Sequence, residues 1–138
     1  MSKFPLIISI YVLIVFTACK KPVTEPNSGI YRGTFFQFYN DVDTNAQGVI
    51  NLALTKEGFG GKFQVSGDTI TGAPHSHYGT YVIDNSTHMT FENDANVDLG
   101  YQPHYVLDTT YKYTFDDDTF TLELIIVTAR YEYIMVRI

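Results

Sequence analysis

The sequence predicts an all-β domain: an antiparallel up-and-down meander of about eight strands, closed as a barrel or flattened into a β-sandwich. Three observations carry that prediction. Past residue 28 no stretch sustains apolar residues at i, i+3, i+4 and i+7, so no helix is expected there. Short runs rich in Tyr, Phe, Val, Ile and Thr alternate with Gly, Asn and Asp, the residues that turn a chain. The gaps between runs leave no room for crossover helices, which excludes a parallel sheet.

Taken in order, the strands are expected at 29–39, 48–56, 60–66, 78–84, 87–92, 104–115, 119–127 and 130–138, with a short extra one around 68–72. Asp41–Gln47, Asp84-Asn85-Ser86 and Asp116-Asp117-Asp118 read as turns, because their side chains hydrogen-bond locally and tolerate a left-handed backbone. In the last third the pattern fixes a register. A four-residue loop at Asp116–Thr119 sets Phe115 against Phe120, Tyr113 against Leu122 and Tyr111 against Leu124. A turn at Thr128-Ala129 would set Ile126 against Tyr131, Leu124 against Tyr133 and Leu122 against Met135. Both choices put the large apolar side chains on one face, as a half-buried sheet requires. That face is Tyr111, Tyr113, Phe115, Phe120, Leu122, Leu124, Ile126, Tyr131, Tyr133 and Met135, with Arg137 at its end.

Composition narrows the possible functions. At 138 residues the chain holds one domain with a sizeable core. Its 15% aromatic and 45% hydrophobic content excludes disorder for the bulk of it. A net charge of −6 gives no basic footprint for nucleic acid. The single Cys excludes a disulfide framework and a multi-cysteine zinc site.

The N-terminus reads as an address. Met1-Ser2-Lys3 is a short basic start, and Leu6 to Phe16 is an eleven-residue run with Ser9 its only polar member. As a helix that run would cover roughly 17 Å, too short for a hydrocarbon core of about 30 Å. Followed by the small residues Thr17-Ala18, it matches the apolar and cleavage regions of a secretory signal. The next residue is Cys19. This arrangement resembles a bacterial lipoprotein signal, which implies that residues 1–18 are removed and that Cys19 carries the lipid. Lys20-Lys21 after the Cys looks like lipoproteins of the Bacteroidota. Loss of Lys3 with the signal leaves a net charge of −7. Residues 20–28, with two prolines and no periodicity, are expected to be a flexible tether ahead of a single domain at 29–138. Some surface-exported lipoproteins of that group are acidic directly after the Cys. This one is not, which favours the periplasmic side of the outer membrane over the cell surface.

Gly29-Ile30-Tyr31-Arg32-Gly33-Thr34-Phe35 is echoed by Gly79-Thr80-Tyr81-Val82-Ile83-Asp84 and by Met89-Thr90-Phe91. With Tyr111–Phe115 and Phe120-Thr121-Leu122, these segments look like the small lipocalin-like lipoproteins of the Bacteroidota. The resemblance covers most of 29–138 and implies a small β-barrel with no named activity.

The residues that could carry chemistry point to binding rather than catalysis. An eight-stranded barrel is just wide enough to be filled by side chains or to hold one small ligand. Each buried Tyr hydroxyl needs a partner, so Tyr111, Tyr113, Tyr131 and Tyr133, with Arg137 beside them, are the candidate lining for a hydrophobic or aromatic ligand. The competing reading is a filled core and an outer surface that docks an envelope protein. It is motivated by apolar groups on the opposite faces of the terminal strands: Phe36, Phe38, Ile134, Val136 and Ile138.

His75 and His77 share a strand spacing that could bring both rings to a metal, joined by His88 or His104 only if the fold allows. Exposed loop histidines are the plainer reading. Asp41, Asp43 and Asn45 mimic the start of a calcium loop, but Ala46 and Leu52 stand where Gly and Glu are needed. No nucleophile motif occurs, so neither an enzyme nor a cofactor is expected. The expected partners are the membrane through Cys19, a small hydrophobic ligand and an envelope protein.

Overall fold

Side chains alternating in and out along each segment build eight strands, without a helix among the described residues, which are 25–40, 42–67, 76–95 and 106–138 of the computed structural model. They are β1 (Gly29–Tyr39), β2 (Val42–Glu57), β3 (Gly60–Gly67), β4 (His77–Asn85), β5 (His88–Asn93), β6 (Thr110–Asp116), β7 (Thr119–Ile126) and β8 (Ala129–Arg137). Each pairs antiparallel with its sequence neighbour, and β8 returns to β1, so the meander closes into a barrel. Strand β4 shows the principle most plainly. His77, Gly79, Tyr81 and Ile83 point inward, while Tyr78, Thr80, Val82 and Asp84 point out.

The hairpin at 116–119 forms with Phe115 opposite Phe120 and Tyr113 opposite Leu122, as the pattern requires. The next hairpin differs. Its turn is Val127-Thr128, so Ile126 faces Ala129, Leu124 faces Tyr131 and Leu122 faces Tyr133, a shift of two residues from the predicted register. Because the side-chain period is two, the shift keeps every large residue on the inner face. The turn holds Val127 at φ 45°, a left-handed backbone that a β-branched residue rarely adopts. Sequence chemistry alone did not mark it.

Two other boundaries move. The predicted turn at Asp41–Gln47 is largely strand: β2 begins at Val42, pairs with Tyr39, and absorbs its polar stretch in an irregularity where Phe38 faces Asp43 but Gln37 faces Ala46. A backbone ladder forms whatever side chains it carries, so polarity there is a poor guide. Conversely β6 begins at Thr110 rather than residue 104. Val106 and Leu107 are apolar because they are buried, not because they are strand. The extra strand suggested at 68–72 lies outside the described residues.

The core is the barrel interior. Aromatic rings run across it in contact: Phe63 with Phe91 at 5.2 Å between centroids, Phe91 with Tyr111 at 5.8 Å, Tyr111 with Tyr133 at 6.0 Å, and Tyr133 with Phe35 at 4.9 Å. That path joins β3, β5, β6, β8 and β1. Edge-to-face and tilted ring pairs of this kind add about 0.5–1.5 kcal/mol each beyond the area they bury.

Both ends of the barrel are covered. At the near end, where β1 starts, residues 25–28 lie against the strands rather than trailing free as the expected tether would. Pro26 is buried, Tyr31 donates to the Asn27 carbonyl at 2.7 Å, and Lys56 pairs with Glu25 at 2.9 Å. At the far end Val106–Thr109 forms a strap. Leu107 is fully buried in the core, and its N–H donates to His77 Nε2 at 2.8 Å.

Candidate functional site

The five residues singled out as a ligand lining fall into two groups. Tyr111, Tyr113, Tyr131 and Tyr133 all point into the barrel and belong to one buried cluster. Arg137 does not join them. It sits exposed at the near end, where its guanidinium donates to the Ser28 carbonyl at 3.0 Å. Strand parity placed Arg137 on the inner face, but at the barrel mouth the long side chain swings out to solvent and to a backbone acceptor.

The tyrosine hydroxyls are mostly engaged at the two ends. Tyr111 donates to the Val106 carbonyl at 3.4 Å, which ties it to the strap, and it also bonds with Tyr133. Tyr113 donates to the Asn85 carbonyl at 3.3 Å, and Tyr131 accepts from Gln37 Nε2 at 3.5 Å. Burial pushes the Tyr111 phenol far above its ordinary value and raises those of Tyr31 and Tyr113 as well. The Tyr81 phenol is pushed up to about 12, again chiefly by burial. Its hydroxyl is buried with no hydrogen-bond partner among the described residues.

Tyr111 and Tyr133 are both 0% exposed, as are Tyr31, Phe35, Leu52, Met89, Phe120 and Met135. These side chains pack against one another in a single buried cluster, so the interior around them is filled by the protein's own residues. Open space lies elsewhere. A concavity of about 440 Å³ is found on the outside of β2–β4, between Ala53, Lys62, Gln64, Tyr78 and Asp94.

The outer face of the terminal strands is the other candidate. Closure of the barrel makes β1 and β8 neighbours and so collects what the sequence keeps a hundred residues apart. Val49, Thr34 and Ile134 are directly opposite one another on β2, β1 and β8, followed one row on by Asn51, Arg32 and Val136. Ile134 and Val136 are exposed, and so are Val49 and Ile30. Phe36 and Phe38 behave differently. Their rings stack at 6.0 Å, Arg130 lies 4.2 Å over Phe38, and both are half-buried. The exposed aliphatic strip is thus flanked by an aromatic pair that its own strand neighbours already cover.

Among the histidines, His77 is buried, packed edge-on to Phe63 at 5.7 Å, with Nε2 occupied as acceptor of the Leu107 N–H. Its role as an anchor for the strap carried no sequence signal, since a buried histidine and a loop histidine look alike in sequence. His88 is exposed and lies 2.9 Å from Thr87 Oγ1. His75, His104, Asp41, Cys19 and the side chain of Asp43 lie outside the described residues. Among the described residues no group of three or more His, Cys, Asp or Glu is placed to hold a metal.

The described residues form a closed eight-stranded barrel of the lipocalin-like kind around a single buried cluster, with residues 25–28 against one end and the Val106–Thr109 strap at the other. No protein family, curated protein or solved structure matches this chain.

Proposed function

We propose that this protein is a lipid-anchored β-barrel of the bacterial cell envelope, of the kind found in Bacteroidota, that works through its outer surface as a docking module. The observation that carries the proposal is the pairing of a filled interior with an exposed apolar strip. An interior of residues at 0% exposure supports a rigid scaffold better than a carrier. Ile134 and Val136, successive outward positions of β8, offer the exposed apolar surface that a partner protein would cover, with Val49 across Thr34 from Ile134. The anchor is read from the apolar run at Leu6–Phe16 and from Cys19, with the outer membrane as the site and the periplasm as the facing compartment.

Photo-crosslinking in the native envelope tests this. A crosslinker at Ile134 should give a defined protein adduct, and one at Lys112, on the polar side of the barrel, should give none. Equal yields at the two positions would remove the reason to prefer the strip.

One observation favours a second reading, a small hydrophobic or aromatic ligand held inside. The unpartnered Tyr81 hydroxyl is a buried polar group that a guest could satisfy. A ligand of that kind should raise the melting temperature of the wild type more than that of Tyr81→Phe. No shift across a panel of aromatic and fatty-acid probes would retire it.

A further inference from the structure

We infer that the near end of the barrel is a membrane-resting face, with the ring of Phe59 seated among phospholipid headgroups and the acidic β6–β7 turn held clear of them. This rests on the lipid-anchor reading above and adds to it an orientation and a contact surface.

Glu25 is fixed at the near end by Lys56, only six positions after Cys19. Six residues reach at most roughly 22 Å when fully extended. A lipid on Cys19 therefore keeps the near end close to the bilayer and leaves the strap end pointing away.

The near end is then divided in two by charge and polarity. On the β8–β1–β2–β3 side, Phe59 occupies the tip of the β2–β3 turn and is 79% exposed. Gly58, at φ 65°, makes the tight turn that projects it, and the Phe59 carbonyl accepts from the Ile83 N–H at 2.6 Å, which fixes the turn against β4. Polar residues are the usual choice at such a tip, and a phenyl ring gains nothing there from water. Ile30, at the start of β1 on the same end of the barrel, is exposed as well. The cations of this sector are Arg32, Lys56, Lys62 and Arg137, against the carboxylates Glu25 and Glu57. Across the barrel from the Phe59 turn stands the β6–β7 turn with Asp116, Asp117 and Asp118, which meets the sector's edge where the Asp118 carbonyl accepts the Arg137 N–H at 3.0 Å; Asp84 lies beyond it on β4, and neither place has an apolar tip.

An aromatic ring projecting between cations suits a phosphate-bearing interface, where the ring enters the acyl boundary and the cations stay with the headgroups. The aspartate turn would be repelled by the same surface. The two sectors together define a tilt, with the Phe59 side down.

The chain contains no Trp, so a single introduced indole reports its own depth. The full chain, made with its own leader in a bacterial host and purified from membranes, is placed on phosphatidylcholine–phosphatidylglycerol vesicles with brominated acyl chains. Phe59→Trp should lose about half of its emission, as a ring inserted roughly 5–10 Å would. Val127→Trp, at the far end, should keep its emission. A protein that floats with vesicles while Trp emission at 59 stays intact, or falls equally at 127, overturns the orientation and leaves the anchor standing. A protein that does not float and carries an unmodified Cys19 overturns both.

Discussion

The seam between β1 and β8 and the seam between β5 and β6 close the same barrel by different means. At β1–β8 nine residue pairs run in unbroken register from Tyr31–Arg137 to Tyr39–Ala129. At β5–β6 only three pairs form, from His88–Lys112 to Thr90–Thr110, extended by single bonds from Phe91 N–H to Thr109 and from Tyr113 N–H to Thr87. The short seam is helped by side chains instead. Thr90 Oγ1 lies 2.7 Å from Thr110 Oγ1 and donates to Asp84 at 2.6 Å, while Asn93 N–H donates to Asp108 at 2.9 Å. The strap pins the same edge from within through Leu107. A long backbone ladder resists opening cooperatively, whereas exposed side-chain bonds compete with water. The barrel is therefore expected to open first between β5 and β6.

The largest effect should come from breaking the long seam. A Cβ at Gly33 would run into the Ile134 carbonyl, so β8 can approach β1 there only because the residue is glycine. Gly33→Val should cost about 4 kcal/mol or more and abolish cooperative urea unfolding. A variant that unfolds with the wild-type midpoint would show that this approach is dispensable.

Alkali attacks the interior that both seams share. The phenols of Tyr31, Tyr81, Tyr111 and Tyr113 are neutral in the fold, raised by burial above the ordinary 10.0, and that of Tyr81 reaches about 12. The unfolded chain releases these protons from about pH 10, so the stability they contribute is complete below that pH and is lost as pH rises through the folded values. The barrel should unfold between about pH 10 and 12. Phenolate absorbance should rise together with the loss of strand signal.

Leu107→Ala weakens the short seam alone. Removing a fully buried leucine should cost about 3 kcal/mol. Hydrogen exchange makes the comparison direct. Amides of Phe91 and Tyr113 should exchange much faster in the variant, and those of β1 and β8 should change less. Uniform acceleration would mean that the two seams open as one unit.

The two seams also differ in how far the sequence announced them. Alternation of Tyr, Phe and Leu against Thr and Lys is dictated by a half-buried sheet, so strand number, inner face and the first hairpin register could be read directly. Long-range closure left no such trace. Nothing local says that Ile134 on β8 lies beside Thr34 on β1, and only that pairing brings Val49 and Ile134 to the same outer face. The strap was misread for a related reason. Val106 and Leu107 satisfy the core as side chains, while the Leu107 N–H is satisfied by His77 rather than by a strand, and burial looks the same in sequence either way. The tyrosines were legible as inward-facing, but whether their rings touch a guest or one another depends on packing that periodicity does not encode.

The smallest predicted effect concerns the turn that feeds the long seam. Val127 stands 96% exposed at φ 45°, so its side chain buries almost nothing while its backbone carries the strain of a β-branched residue in the left-handed region. Asn tolerates that backbone at little cost, and Val127→Asn should therefore gain about 1 kcal/mol, read as a rise of a few degrees in melting temperature. The turn is tied to the β1–β2 corner by the Asn40 N–H to Thr128 carbonyl bond of 2.9 Å, so the gain belongs to the β1–β8 side of the barrel. Exchange at Phe91 and Tyr113 should be untouched, because those amides open before that side does. If they slow in step with the melting temperature, the short seam is not an independent opening, and the contrast between the two seams is one of length rather than of stability.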